Sequence, residues 1–232
     1  MRNRAVAIIS FLLSLPAIAA AQDTRPGFAV FPFANGGSVG PDREDLSDLS
    51  VGFQQMLMTE LSQNTALRVI ERGMLRQLIE EQDLGGSGRV DPNTAARIGK
   101  IVGAKFALLG GFVDSFGTMR LDARIVDVET SEIVKAEAVR GKREDLYDLL
   151  VDLSGRVTSG VNLPPLPAEV RKARQARKIP DAAAVLYSRA LVYEEGGRMD
   201  RARELYAEIT QKFPEMTEAR DRLNQLKGSF MP

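Results

Sequence analysis

The sequence predicts a mixed α/β (α+β) fold: a mixed sheet with packed helices in the order βαβααβββα, followed by a small all-α tail. Three observations carry this. Between Leu46 and Ile101 apolar residues recur mainly at helical spacing. Between Lys105 and Arg140 the pattern switches to alternation. Beyond Asn162-Leu-Pro-Pro-Leu-Pro167 a helical period returns.

Gly27 to Phe33 is a short apolar run that reads as a buried strand, with Pro32 near its end, where a missing ladder donor is tolerable. Asn35-Gly-Gly-Ser-Val-Gly40 reads as a flexible loop; it lacks the Gly-Lys-Ser/Thr ending of a phosphate-cradling loop. A helix is expected from about Asp42, with Glu44 and Asp45 favouring the positive end of its dipole. Leu46, Leu49, Phe53, Leu57 and Leu61 make its apolar stripe. Residues 66–70 form a second strand. The next helix runs from Arg72 to Gln82, with Met74, Leu75, Leu78 and Ile79 inward, and Arg72 and Glu81 available to pair. Leu84 to Val90 is a flexible connection. Asp91-Pro92 then has the chemistry of a helix start, a carboxylate cap followed by a residue that needs no donor. That helix carries Ala95, Ala96, Ile98 and Ile101 and ends near Gly103.

Lys105 to Val113 is apolar enough for a central strand. Met119, Leu121, Ala123 and Ile125 alternate with Arg120, Asp122 and Arg124, as a strand with one wet face requires. Ile133 to Arg140 makes a third strand. The turns Asp114–Gly117 and Glu129–Ser131 are short, so these strands should form an antiparallel meander. A helix over 144–161, with Leu146, Leu149, Leu150, Leu153 and Val157 inward, closes a domain expected to span residues 22–161.

Residues 162–180 read as a linker, stiffened by prolines and then basic. Arg171-Lys-Ala-Arg-Gln-Ala-Arg-Lys178 is expected to be a solvated helix joining two domains. In the tail, residues 181–228, positions 183–216 resemble a tetratricopeptide (TPR) repeat in length and register. Leu186, Ala190 and Tyr193 take the packing positions of its first helix. Ala202, Tyr206 and Ile209 take those of its second, Gly196-Gly197 makes the turn, and helix 217–227 caps the pair. One such repeat leaves an apolar face that needs a neighbour.

Composition bounds the chemistry. The chain has 31 basic and 31 acidic residues, no histidine and no cysteine. Without imidazole or thiol there is no Ser-His-Asp triad, no Cys-His pair and no zinc site of the usual type. Asp122 and Asp127 differ by an odd number and face opposite sides of a regular strand, which counts against a shared carboxylate site. The expectation is a non-enzymatic protein with no catalytic, cofactor-binding or metal site and no small-molecule substrate. No concentrated basic surface marks it for nucleic acid.

Met1-Arg-Asn-Arg4, the apolar run Ala5–Leu15 and the small residues up to Ala21 follow the pattern of a cleaved secretory leader. The apolar run is shorter than the roughly 20 residues a membrane span needs. A periplasmic protein is therefore expected, and, with no cysteine to acylate, not a lipoprotein.

One stretch resembles a known family. Glu71-Arg72, Leu75, Leu78, Glu80-Glu81-Gln82, Gly88, Val90-Asp91, Ala95-Ala96 and Ile98-Gly99-Lys100 occur in the order found in the CsgG family of curli-assembly proteins. Gly103-Ala104-Lys105, Leu109-Gly110-Gly111 and Leu121–Val128 with Thr130 continue the match, which covers roughly residues 27–160. The resemblance implies an envelope protein that oligomerises or docks partners through the sheet domain. The family's named member is an oligomeric outer-membrane channel exporting amyloid subunits, and relatives of the fold activate cell-wall synthases. This chain departs from the channel in three ways. It lacks the lipidated cysteine, its Asn35–Gly40 loop carries no aromatic, and the turns between 105 and 140 are too short for pore-forming hairpins. The expected role is a scaffold or accessory factor in outer-membrane-associated assembly or secretion, with a curli-type channel as the alternative. Expected partners are other envelope proteins; homo-oligomers and peripheral membrane association are compatible with this reading. Leu186, Tyr193, Tyr206, Arg171 and Arg174 are the candidate protein-binding residues.

Overall fold

Phe28, Ala29, Val30 and Phe31 are all fully buried, which a strand achieves only when helices cover both faces of its sheet. The computed structural model describes residues 23–41, 44–81 and 90–228. The leader read in residues 1–21 and most of the connection at 84–90 lie outside them. The strands are β1 (Gly27–Val30), β2 (Ala34–Val39), β3 (Arg68–Val69), β4 (Phe106–Ser115), β5 (Thr118–Asp127) and β6 (Ile133–Lys142). The helices are α1 (Leu49–Ser62), α2 (Arg72–Glu81), α3 (Pro92–Ile101), α4 (Leu146–Gly160), α5 (Ala168–Ala176), α6 (Asp181–Glu195), α7 (Met199–Lys212) and α8 (Thr217–Gly228).

The sheet order is β3-β1-β4-β5-β6, with β2 also paired to β4. β1 and β3 run parallel, as do β1 and β4, while β4-β5-β6 form the expected antiparallel meander. The Asn35–Gly40 segment is not a free loop. It pairs in parallel with the distal half of β4, Ala34 opposite Gly111 and Val39 opposite Ser115. β1 pairs the proximal half, Phe28 opposite Phe106. Pro32, which has no N–H to donate, falls in the gap between them. Gly110 belongs to this arrangement, since a Cβ there would lie 2.2 Å from the Phe33 ring.

α1 starts at Leu49, later than its apolar stripe suggested. Asp45 Oδ1 accepts the Ser47 N–H at 2.9 Å, which holds that stretch in a turn, although Leu46 is still buried. α3 starts where expected, with Asp91 Oδ1 accepting the N–H groups of Asn93 and Thr94 at 2.9 and 3.1 Å. Met74, expected inward, is exposed, and so is Ile101 at the end of α3. The patch covered by α2 and α3 is small: Leu75, Ile79, Ala95, Ala96 and Ile98 meet Ala29, Phe31, Ala107, Leu109 and Val126.

The opposite face carries a much larger core. Phe33, Phe53 and Phe112 meet there edge to face, with Phe53 and Phe112 4.8 Å apart. That core runs without a break from the sheet through α1 and α4 into α6, α7 and α8. The tail is therefore a third layer on the sheet domain. It comes close at Gly52 of α1, where a Cβ would sit 1.7 Å from Ser188 Oγ of α6.

Candidate functional site

The five residues expected to bind partners are placed in two different environments. Tyr206 is fully buried, stacks obliquely on Tyr187 at 5.9 Å and donates to Glu194 Oε2 at 2.8 Å. Arg174 points inward, where its Nε donates to Glu60 Oε2 at 2.8 Å. Tyr206 is thus enclosed by its own chain, while Arg174 is half-buried and still lines the groove that Arg171 borders. The physical reason for the enclosure is that the apolar face of the hairpin is consumed by α1 of the same chain. Leu186 and Tyr193 are half-buried against the same core, and the Arg198 guanidinium lies 4.3 Å from the Tyr193 ring centre. Of the five, Arg171 is exposed; with Arg174 it lines that groove, of about 420 Å³, between α4 and α5.

The basic run is likewise not a fully solvated helix. Arg174 and Arg177 form a half-buried clasp that ties the end of α5 to α1, α4 and α8. Glu60, 2% exposed, pairs with Arg174 and accepts the Tyr147 hydroxyl at 2.6 Å. Arg177 donates to Glu218 Oε2 at 2.6 Å and to the Tyr147 oxygen at 2.6 Å, with its guanidinium 5.1 Å from the Tyr147 ring centre. Burial pushes the Glu218 carboxyl up, but hydrogen bonds and charge from Arg177 outweigh it and leave the group below its ordinary value. Burial, with Arg177 alongside, pulls the Arg174 guanidinium down. A second fastening joins α2 to the tail: Arg72 Nη1 lies 3.0 Å from Glu195 Oε1, rather than pairing along its own helix with Glu81. Here burial dominates and raises the Glu195 carboxyl despite Arg72.

With one face sealed by the tail, the open surface is the distal half of the other. α2 and α3 cover the sheet near β1 and the start of β4, leaving the outward side of β4, β5 and β6 bare. Arg120 stands directly opposite Arg140, Asp122 opposite Ala138 and Arg124 opposite Ala136. Arg120 forks onto Asp122, with Nη2 to Oδ1 at 2.7 Å and Nε to Oδ2 at 3.0 Å. Arg124 and Arg140 are exposed and have no ion-pair partner among the described residues. Like charges directly opposite on one sheet face destabilise it. Val39 and Val113, both exposed, continue the surface toward β2. Two shallow grooves of about 470 and 320 Å³ lie on it, one reaching under the start of α3. β6 is also an edge strand of ten residues, whose outer backbone groups are unpaired by any described strand. The alternation at 119–125 gave this wet face from sequence. The Arg120–Arg140 opposition was hidden, because it depends on the register of two strands.

Among the described residues, no three carboxylates converge to hold a metal ion, and no helix is long and apolar enough to cross a membrane. No curated protein matches the chain. Solved structures share low identity with it. The LpoB C-terminal domain from Escherichia coli is 16% identical, over 50% of this chain and 82% of that one, with a TM-score of 0.41. Lipoprotein GNA1162 from Neisseria meningitidis is 17% identical, over 59% and 94%, with a TM-score of 0.41. A PelC dodecamer from Paraburkholderia phytofirmans is 15% identical, over 59% and 89%, with a TM-score of 0.38. Residues 24–117, from the approach to β1 through the β4–β5 turn, match the family model of the curli production assembly/transport component CsgG.

Proposed function

We propose that this protein is a non-catalytic accessory factor of the bacterial cell envelope that docks a partner protein on the open face of its sheet. The observation that carries the reading is a bare sheet face on which Arg124 and Arg140 have no ion-pair partner among the described residues and Arg120, opposite Arg140, is held by Asp122 alone, beside an unpaired edge strand. An acidic segment laid along β6 would neutralise these guanidiniums and satisfy the edge at once. The CsgG match over residues 24–117 supports an assembly or transport setting, and the leader-like residues 1–21 support the periplasm. The helical tail, in this reading a single TPR-like unit, acts as a built-in buttress for the sheet. The absence of histidine and cysteine supports binding over catalysis.

The test is co-purification from envelope fractions with wild type and with Arg120→Glu/Arg140→Glu. A partner retained by wild type, weakened by salt and lost with the charge-reversed face would support the assignment. Retention of the same partner by the reversed variant would overturn it. A detergent-requiring ring with conductance in planar bilayers would instead establish the channel reading.

A further inference from the structure

The β4–β5 hairpin closes on a two-residue loop, Phe116-Gly117, with Ser115 paired to Thr118. Both loop residues have positive φ, +52° and +74°. Two-residue hairpins need that geometry, and Asn or Gly usually fills the first position because a bulky side chain is strained there. Here the position holds an aromatic ring that is 72% exposed, fixed by the Phe116 N–H donating to Val39 O at 2.7 Å. Val39 itself is 56% exposed beside it.

Beneath this rim lies a pocket of about 110 Å³, and Asp114 and Arg143 line it. Asp114 is 2% exposed. Its Oδ2 accepts long bonds from Ser38 Oγ at 3.3 Å and Arg143 Nη1 at 3.4 Å, while its Oδ1 has no partner among the described residues. The Arg143 guanidinium is further shared with Glu44 at 3.6 Å and Asp181 at 3.3 Å. Among the described residues three carboxylates thus surround one cation, and a buried acceptor stands open. An orphaned buried carboxylate oxygen is costly, and the deficit here is of both hydrogen-bond donors and positive charge.

We propose that this pocket takes one basic side chain, lysine or arginine, from a partner polypeptide, with its charged head on Asp114 Oδ1 and its aliphatic stem under Phe116. The volume admits a head group with a few methylenes rather than a whole small-molecule ligand. An exposed aromatic beside a charged pocket is the composition of a protein-interface anchor. The site lies at the end of the sheet, and Asp114 faces the tail side, away from the Arg120–Arg140 row. It therefore goes beyond the docking face proposed above and stands apart from it.

The test is an amide NMR titration of the full chain with N-acetyl-argininamide and N-acetyl-lysinamide, and with N-acetyl-norleucinamide as the uncharged control. The expected result is saturable shifts at Val39, Gly40, Phe116 and Gly117 with the cationic probes and none with norleucine. One charged contact supports a Kd on the order of 1 mM or weaker, so titration to ~50 mM covers the range. Asp114→Asn should weaken binding roughly fivefold or more, the effect of losing one charge-assisted bond. Phe116→Asn suits the turn better, so its fold is secure; it should weaken binding roughly threefold or more. Arg120→Glu/Arg140→Glu should bind the probes as wild type does, which separates this site from the docking face. No saturable shift, equal shifts with norleucine, or indifference to both Asp114→Asn and Phe116→Asn would overturn the proposal, with bound water left as the occupant. Concentration-dependent self-association of wild type that Asp114→Asn abolishes would overturn the assignment to a separate partner, because a second copy would be supplying the side chain.

Discussion

Gly52→Ala should loosen the seat of the tail on α1, and the sign of its effect is diagnostic. On helix propensity alone, replacing a glycine inside α1 with alanine would add about 1 kcal/mol of stability. The new Cβ, however, would sit 1.7 Å from Ser188 Oγ, 2.6 Å from Ser188 Cβ and 3.3 Å from Ser188 Cα. Rotating the serine clears its oxygen but not its Cβ. α1 and α6 must then separate by about 1 Å to restore an ordinary carbon–carbon contact near 3.5–4.0 Å. Overpacking costs about 1–3 kcal/mol, and backbone movement on both sides places this case at about 2–3. The net expectation is a loss of about 1–2 kcal/mol. Ser188→Ala leaves the offending Cβ in place and should rescue nothing. Ser188→Gly removes both close atoms, so the double variant should show a favourable coupling of about 2–3 kcal/mol, the overpacking relieved. Urea unfolding of the four corners of the cycle measures this directly. Gly52→Ala that stabilises the protein, additively with Ser188→Gly, would refute the docking geometry of the tail.

Four further outcomes are expected. Arg174→Met strands the buried Glu60 carboxylate without its cation and should cost about 3–5 kcal/mol in urea unfolding, with Glu60→Met/Arg174→Met recovering most of it. Glu218 is more acidic in the folded protein than its ordinary value of 4.5, so its stabilisation is present above that value and is lost as pH falls through the lower folded one. Glu218→Gln should therefore be less stable at neutral pH and show a shallower loss of stability below pH 4.5, followed by circular dichroism against pH. Arg140→Thr relieves the opposition with Arg120 and should raise unfolding free energy by about 0.2–1 kcal/mol while weakening partner capture. Phe116→Asn removes an aromatic from a left-handed turn position and should add about 1 kcal/mol, read as a higher Tm.

The tail changes what the sheet domain can offer. A hairpin with the spacing of a repeat unit suggests a free groove, yet its apolar face meets α1 and its charged linker meets Glu60 and Glu218. The surface that stays open accordingly includes the far side of the sheet and its β4–β5 tip. A chain that seals one sheet face with its own helices needs no subunit or ligand to cover that side.

Short-range patterns were legible in the sequence by itself. The alternation Met119–Ile125, the Asp91-Pro92 cap and the stripe Leu49–Phe53–Leu57–Leu61 each depend on residues a few positions apart, so each could be read without a partner in view. The mixed α/β class, the meander and the helical tail followed from them. What tertiary structure decided are features whose partners lie far along the chain. β2 is a strand because β4 offers its distal half, seventy-six positions on, as the Ser38–Asp114 contact shows. Arg174 is a clasp and not a solvated charge because Glu60 lies opposite, 114 positions away in sequence. Pairing register and the burial of charge are properties of two segments brought together, and neither segment alone encodes them.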